Sequence, residues 1–140
     1  MEPYEYLEHT ADVKFRACGV SPEEMFENAA LAMLNAMVET SSVRERDTWK
    51  MDLAAEDLEQ LLYNWLSELL YLSEVESVVF SSFRVDLSQG EGTWSLKARI
   101  GGEKIDLARH AFENEVKAVT LHQFQIERDE FWTAQVVLDV

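Results

Sequence analysis

The chain has 140 residues, of which 47% are hydrophobic, enough for one ordinary domain with a real core, and this excludes a disordered chain. Twelve basic residues face 27 acidic ones, for a formal net charge of −15. Nucleic-acid affinity rests largely on Lys and Arg displacing counterions, so strong direct RNA binding is not expected, whereas a basic partner surface or a cation would suit the field.

No apolar run reaches the roughly 18 residues that a membrane helix needs. The first residues, MEPYEYLEHT, are acidic and carry no apolar signal core. Cys18 is the single cysteine, so no internal disulfide framework exists. These features point to a cytoplasmic protein without a membrane association, with residues 1–140 as a single domain.

In chain order, EHTADV (8–13) precedes a short strand, Val13 to Cys18. His9 and Asp12 lie three positions apart, as a catalytic pair, as metal ligands or as the turn that starts the strand. The first helix opens with SPEEMFENAALAMLNAMVE. Ser21 caps it, Pro22 suits the first helical position and Glu24 completes a capping box. Met25, Phe26, Ala29, Ala30, Met33, Leu34 and Met37 recur at helical spacing, which marks a core face rather than a binding stripe. The short strand TWKMDLA follows. A second helix, from about Ala55 to Ser73, carries leucines and Trp65 on one face and Glu56, Asp57 and Glu59 in its first turn, at the positive end of the helix dipole.

The remainder reads as strands. VESVVFSSFRVDLS and TWSLKARIGG flank QGEG, a glycine-containing hairpin reversal, and Gly101-Gly102 reads as a tight turn. LHQFQIERD and FWTAQVVLDV form a second hairpin through Asp129 and Glu130. In the last strand Trp132, Ala134, Val136 and Leu138 share one face; Thr133, Gln135, Val137 and Asp139 share the other. Trp49, Trp65, Trp94 and Trp132 are expected in the core. Strand, strand, helix, strand, helix and then several strands make an α+β fold, mostly antiparallel sheet with two main helices packed on it.

The chemistry-bearing motifs are sparse. His9, His110 and His122 are far apart in sequence, and one cysteine adds little to a zinc site. No glycine-rich phosphate loop precedes a helix, and no G-x-S-x-G elbow occurs. A hydrolase with a dispersed triad stays open.

Four separated motifs, in order, resemble the archease family. They are HTADV (9–13) with Gly19 and SPEEMFENAALAM, LEQLLYNWLSELLYL (58–72), EVKAVTLH (115–122) and the ending VVLDV. One departure is Leu121, which stands where an aromatic is expected in the family. The resemblance implies an α+β fold with a strand-helix-strand-strand unit and an inserted two-helix segment. It implies a protein cofactor of an RtcB-type RNA ligase rather than an enzyme. Such a cofactor acts in tRNA splicing, promotes guanylylation of the ligase and its multiple turnover, and broadens its nucleotide use. It also implies a divalent-cation site, of a kind seen with calcium, at Asp12, Asp139 and Val140.

The residues themselves fit that assignment. Asp12, Asp139 and the carboxyl group or carbonyl of Val140 would supply only oxygen, which hard cations such as calcium and magnesium prefer at roughly 2.0–2.6 Å. The plainer alternative makes Asp12 a side-chain-to-backbone turn and Asp139 a solvated chain end. His9 is expected to fix the Asp12 turn or to face a partner. Lys117 and His122 are candidates for the same end of the sheet. Alternation puts Lys117, Val119 and Leu121 on one face and Ala118, Thr120 and His122 on the other. Two other functions remain in view: a metal-dependent hydrolase using Asp12 and nearby carboxylates, and a protein- or small-ligand-binding module unrelated to RNA.

Overall fold

The computed structural model describes residues 1–8 and 12–140. Two strands, β1 (Tyr4–Leu7) and β2 (Val13–Gly19), lead into helix α1 (Pro22–Met37) and a 3-10 turn at Thr40–Ser42. Strand β3 (Asp47–Ala55) and helix α2 (Leu58–Glu76) follow, then β4 (Val78–Gly90), β5 (Thr93–Lys104), β6 (Ala118–Arg128) and β7 (Trp132–Asp139). One sheet has the order β1-β2-β7-β6 and the other β3-β5-β4, with every strand pair antiparallel. The fold is α+β, as expected. β3-α2-β4-β5 forms a strand-helix-strand-strand unit, but β3 separates the two helices, so they do not form a consecutive insertion.

Local chemistry sets the helix limits. The Glu24 N–H donates to Ser21 Oγ at 3.1 Å, and the Glu24 carboxylate accepts from the Val20 N–H at 3.2 Å, one residue earlier than in the usual capping box. α2 starts at Leu58 and not near Ala55, because β3 runs through Ala55 and Asp57 is the cap, accepting from the Gln60 N–H at 2.8 Å. Its end lies beyond Ser73, at Glu76, where Ser77 adopts a left-handed conformation with φ 54°.

Both helices touch both sheets and one main core lies between the layers, with a small satellite cluster of Val38, Val43 and Val79. Phe15, Phe26, Met25, Met33, Trp65 and Phe80 are fully buried there. The Trp65 indole N–H donates to the Phe26 carbonyl at 3.0 Å, which satisfies the buried polar group of a large apolar side chain. Trp49, Trp94 and Trp132 are only partly buried against this core. β7 is central in its sheet, and Gln135 and Val137 are buried along with Ala134, Val136 and Leu138.

Both hairpins form as expected. The first closes over Glu91 and Gly92, with Gly90 paired to Thr93 and Gly92 at φ 64°. Gly101 and Gly102 do not turn; both lie inside β5. Gly102 is required by packing. A Cβ there would sit 2.0 Å from the Val79 carbonyl oxygen and 2.9 Å from Phe80 Cα, beside the register shift between Phe80 and Ser82. Among the described residues no helix is long and apolar enough to cross a membrane.

Candidate functional site

The register of β2 against β7 brings two separated motifs together. Val13 pairs with Leu138, so Asp12 and Asp139 each lie one residue beyond that pair, at the same end of the sheet. β6 joins them there: Ala118 pairs with Asp139, and the Lys117 N–H donates to the Asp139 carbonyl at 2.7 Å. That bond holds the Asp139 main chain, and its side chain is exposed. Val140 packs its side chain partly into the core, which fixes the residue after Asp139. His9 lies outside the described residues.

His122 is placed differently from Lys117. The β6 register shifts between Thr120 and Gln125, so Leu121 to Phe124 stand opposite Val136 alone. Gln123 takes φ 53°, and its carbonyl accepts from the Gln135 amide at 3.0 Å. Strict alternation therefore stops at this bulge. Val119 is 4% exposed and Leu121 is 68% exposed, although alternation would give them one face. His122 is an exposed residue in this bulge, four positions along β6 from Ala118.

A cavity of about 240 Å³ opens beside Asp12, lined among others by Tyr6, Lys14, Asn35, Glu113 and Asn114. None of these was singled out from the sequence. Asn35 is a single polar residue in the apolar run at the end of α1, and Glu113 and Asn114 sit in an irregular stretch where no periodicity marks them. The Tyr6 hydroxyl donates to the Ala32 carbonyl at 2.9 Å, and burial pushes its pKa up to about 12, so it stays protonated as a donor. Asn114 and Glu113 are held against the end of α1. The Asn114 amide donates to the Ala36 carbonyl at 2.8 Å, and the Glu113 N–H to the Met37 carbonyl at 2.9 Å, satisfying carbonyls left open by the last helical turn.

A buried polar knot anchors the base of the 105–117 segment. Glu103 is 3% exposed and accepts from the Arg44 N–H at 2.7 Å, from Arg109 Nη2 at 2.5 Å and from His110 Nε2 at 3.0 Å. The Arg109 hydrogen bond is the main reason that the Glu103 carboxyl is held down at about 2, against the opposing effect of burial. His110 Nδ1 accepts from the Asp106 N–H at 2.9 Å, so the ring carries its proton on Nε2 and donates it to Glu103. This tautomer assignment leaves His110 as a structural group rather than a ligand.

The donor chemistry at the sheet end is hard. Two aspartates and the Val140 carboxyl group are oxygen donors, suited to calcium or magnesium. Among the described residues no group of three or more His, Cys, Asp or Glu side chains is placed to hold a metal, so a cation here needs the main-chain or terminal oxygen as well as Asp12 and Asp139.

Residues 4–140 match the family model described as Archease protein family (MTH1598/TM1083). The chain belongs to the archease family. A protein archease from Methanosarcina mazei is 51% identical over 139 residues, covering 98% of this chain and 95% of its own. The protein archease of Pyrococcus abyssi is 41% identical, with both chains covered in full. The solution structure of Methanobacterium thermoautotrophicum protein 1598 superposes with a TM-score of 0.90 at 39% identity, over the whole of both chains. A crystal structure from Thermotoga maritima, described as an archease and possible chaperone, has a TM-score of 0.60 at 20% identity over 96% of this chain and 94% of its own, and shares the fold. The β2–β7 register thus brings Asp12 and Val13 to the same sheet end as Leu138 and Asp139 in this chain.

Proposed function

We propose that this archease is a protein cofactor of an RtcB-type RNA ligase in tRNA splicing, and that it acts from the cytoplasm. In this reading it promotes guanylylation of the ligase, sustains multiple turnover and widens nucleotide use. A divalent cation, with calcium as the type, would be held by Asp12, Asp139 and the carboxyl group or carbonyl of Val140; His9, Lys117 and His122 would support that site or face the partner. The observation that carries the reading is the register of β2 on β7, which puts Asp12 and Asp139 side by side at one sheet end. Both residues can offer carboxylate oxygen, the ligand type that a hard divalent cation takes.

When bound, such a cation would place positive charge, able to take oxygen ligands, at a surface that meets the ligase. Around it, this chain's own residues do the positioning. The Lys117–Asp139 main-chain bond fixes the strand end, and Glu113 and Asn114 close the side next to Asp12. With a net charge of −15, the protein is suited to meet a basic protein surface and leave RNA to the ligase.

The test is a ligation time course with an RtcB-type ligase in deficit over RNA ends, with and without this protein. More product per ligase molecule is expected with it. An unchanged turnover number would overturn the reading. RNA processing by this chain alone, without ligase, would favour a hydrolase instead.

A further inference from the structure

A cavity of about 580 Å³ lies between the last turns of α2 and the 105–117 segment. Its apolar part comes from Met37, Leu70, Ile105 and Val116, with Phe112 at its edge and 41% exposed. A second depression of about 240 Å³ continues along α2 to Tyr63; the two share Leu70, Glu74 and Lys117. Tyr71, 60% exposed, borders this second part. Along the helix, from Tyr63 to Ser77, the groove runs for roughly 21 Å at 1.5 Å per residue.

Its charge is one-sided. Glu74, Glu113 and Glu115 line the main cavity against Lys117 alone. Among the described residues neither Glu74 nor Glu115 makes an ion pair within 4.0 Å. α2 also ends here, with Glu74 and Glu76 close to its C-terminus and no basic residue in its last turn. The C-terminal end of a helix carries partial negative charge, so carboxylates there raise the local energy and a cation lowers it. The groove thus combines an apolar floor with concentrated negative potential.

We propose that this groove docks a segment of a partner protein in which large apolar side chains are flanked by Lys or Arg, and that the partner is the ligase of the proposed function, on which the inference rests. Charge complementarity selects this occupant. A second copy would bring its own net charge of −15 and the same glutamates, and an RNA would bring phosphates. A basic, apolar segment gains from burial of its side chains and from placing cations at the helix end. The position is apt as well: Glu113 and Asn114 line both this groove and the cavity beside Asp12. A partner seated in the groove is therefore placed next to the candidate cation site.

The experiment titrates purified RtcB-type ligase into the fluorescently labelled full chain, as wild type, as the double variant Glu74→Lys with Glu115→Lys, and as Phe112→Ser. Glu74→Lys puts a cation at a helix C-terminus, so the double variant is expected to melt no lower than wild type. Its affinity for the ligase is expected to fall by about tenfold or more, as reversal of charges at an interface commonly does. Calcium affinity should stay unchanged, because neither residue is among the proposed ligands. Phe112→Ser should weaken binding with less dependence on salt, which screens charges and not apolar contacts. If wild type stimulates the ligase and both variants bind it as tightly as wild type, the groove is not the docking surface, while the proposed function stands. If wild type neither binds nor stimulates the ligase, the proposed function fails and takes this occupant with it. Sedimentation that shows a wild-type dimer dissociated by the double variant would assign the groove to a second copy and overturn the inference.

Discussion

At the scale of single residues, two carboxylates with opposite surroundings separate the candidate site from the scaffold. Asp12 is half-buried at a sheet end, beside a cavity that Tyr6, Lys14, Asn35, Glu113 and Asn114 also line. Replacing Asp12 with Asn keeps the shape and removes one charge. Cation affinity is expected to fall by at least about tenfold, since loss of even an outer partner of a metal ligand commonly costs that much. Stimulation of guanylylation should fall with it, and the melting temperature without metal should hold. Calcium calorimetry paired with a guanylylation assay checks this; normal stimulation under limiting metal would remove Asp12 from the site. Glu103, in contrast, is held by Arg109, His110 and the Arg44 N–H. Its folded pKa of about 2 lies below the ordinary carboxylate value of 4.5, so its contribution to stability is fully present above pH 4.5 and is lost as pH falls toward 2. Glu103→Gln should melt several degrees below wild type at pH 7, and the gap should narrow between pH 4.5 and 2, as thermal melts across that range would reveal.

At the scale of elements, close backbone approach and strand ends carry the sharpest consequences. β5 tolerates only glycine at 102, because a Cβ would meet the backbone of Val79 and Phe80 rather than a side chain that can move. Gly102→Ala is expected to destabilise by about 3 kcal/mol, at the upper end of overpacking costs, measurable by urea denaturation. A loss below about 1 kcal/mol would mean that the β4–β5 bulge absorbs the methyl group at little cost. The end of β7 offers a different test. If the Val140 carboxylate is a ligand, a tag after Val140 converts it to an amide and removes one charge from the site. Calcium affinity and ligase stimulation should both drop, whereas the same tag before Met1 should leave them near wild type. Equal calcium affinities of the two tagged forms would limit Val140 to its main-chain carbonyl.

At the scale of the whole molecule, the formal charge of −15 governs which partners are attractive. Direct affinity for tRNA at physiological salt should be no better than roughly 10⁻⁴ M, the weak end of non-specific binding. A gel shift that shows micromolar binding by this chain alone would contradict that. The two sheets and two helices share one main core, so disturbance of that core should be felt across the molecule. Phe80→Ala, at a fully buried ring that meets Trp49 and Phe83 edge to face, should cost about 3–5 kcal/mol by thermal or chemical unfolding.

Local chemistry made much of the fold legible before any tertiary information. Ser21 and Glu24 mark the start of α1, apolar residues at helical spacing mark its buried face, and the glycines around Glu91 mark the first hairpin, because capping, periodicity and turn conformation depend on neighbours in sequence. The same local logic misplaced the start of α2, where Glu56 and Asp57 resemble a first helical turn but lie between the last residue of β3 and the first of α2. It took Gly101-Gly102 for a turn, because the reason for glycine at 102 is the β4 backbone at Val79 and Phe80, more than twenty residues away. The motifs that carry the family resemblance, and through it the names Asp12, Asp139 and Val140, were likewise visible in the sequence alone. Their adjacency was not: it depends on the pairing of β2 with β7, whose partners are more than a hundred residues apart. Glu103, Tyr6, Asn35 and the groove beside α2 acquired meaning only in the folded chain. Burial, hydrogen-bond closure and concentrated charge arise from contacts between distant segments, which composition and spacing do not encode residue by residue.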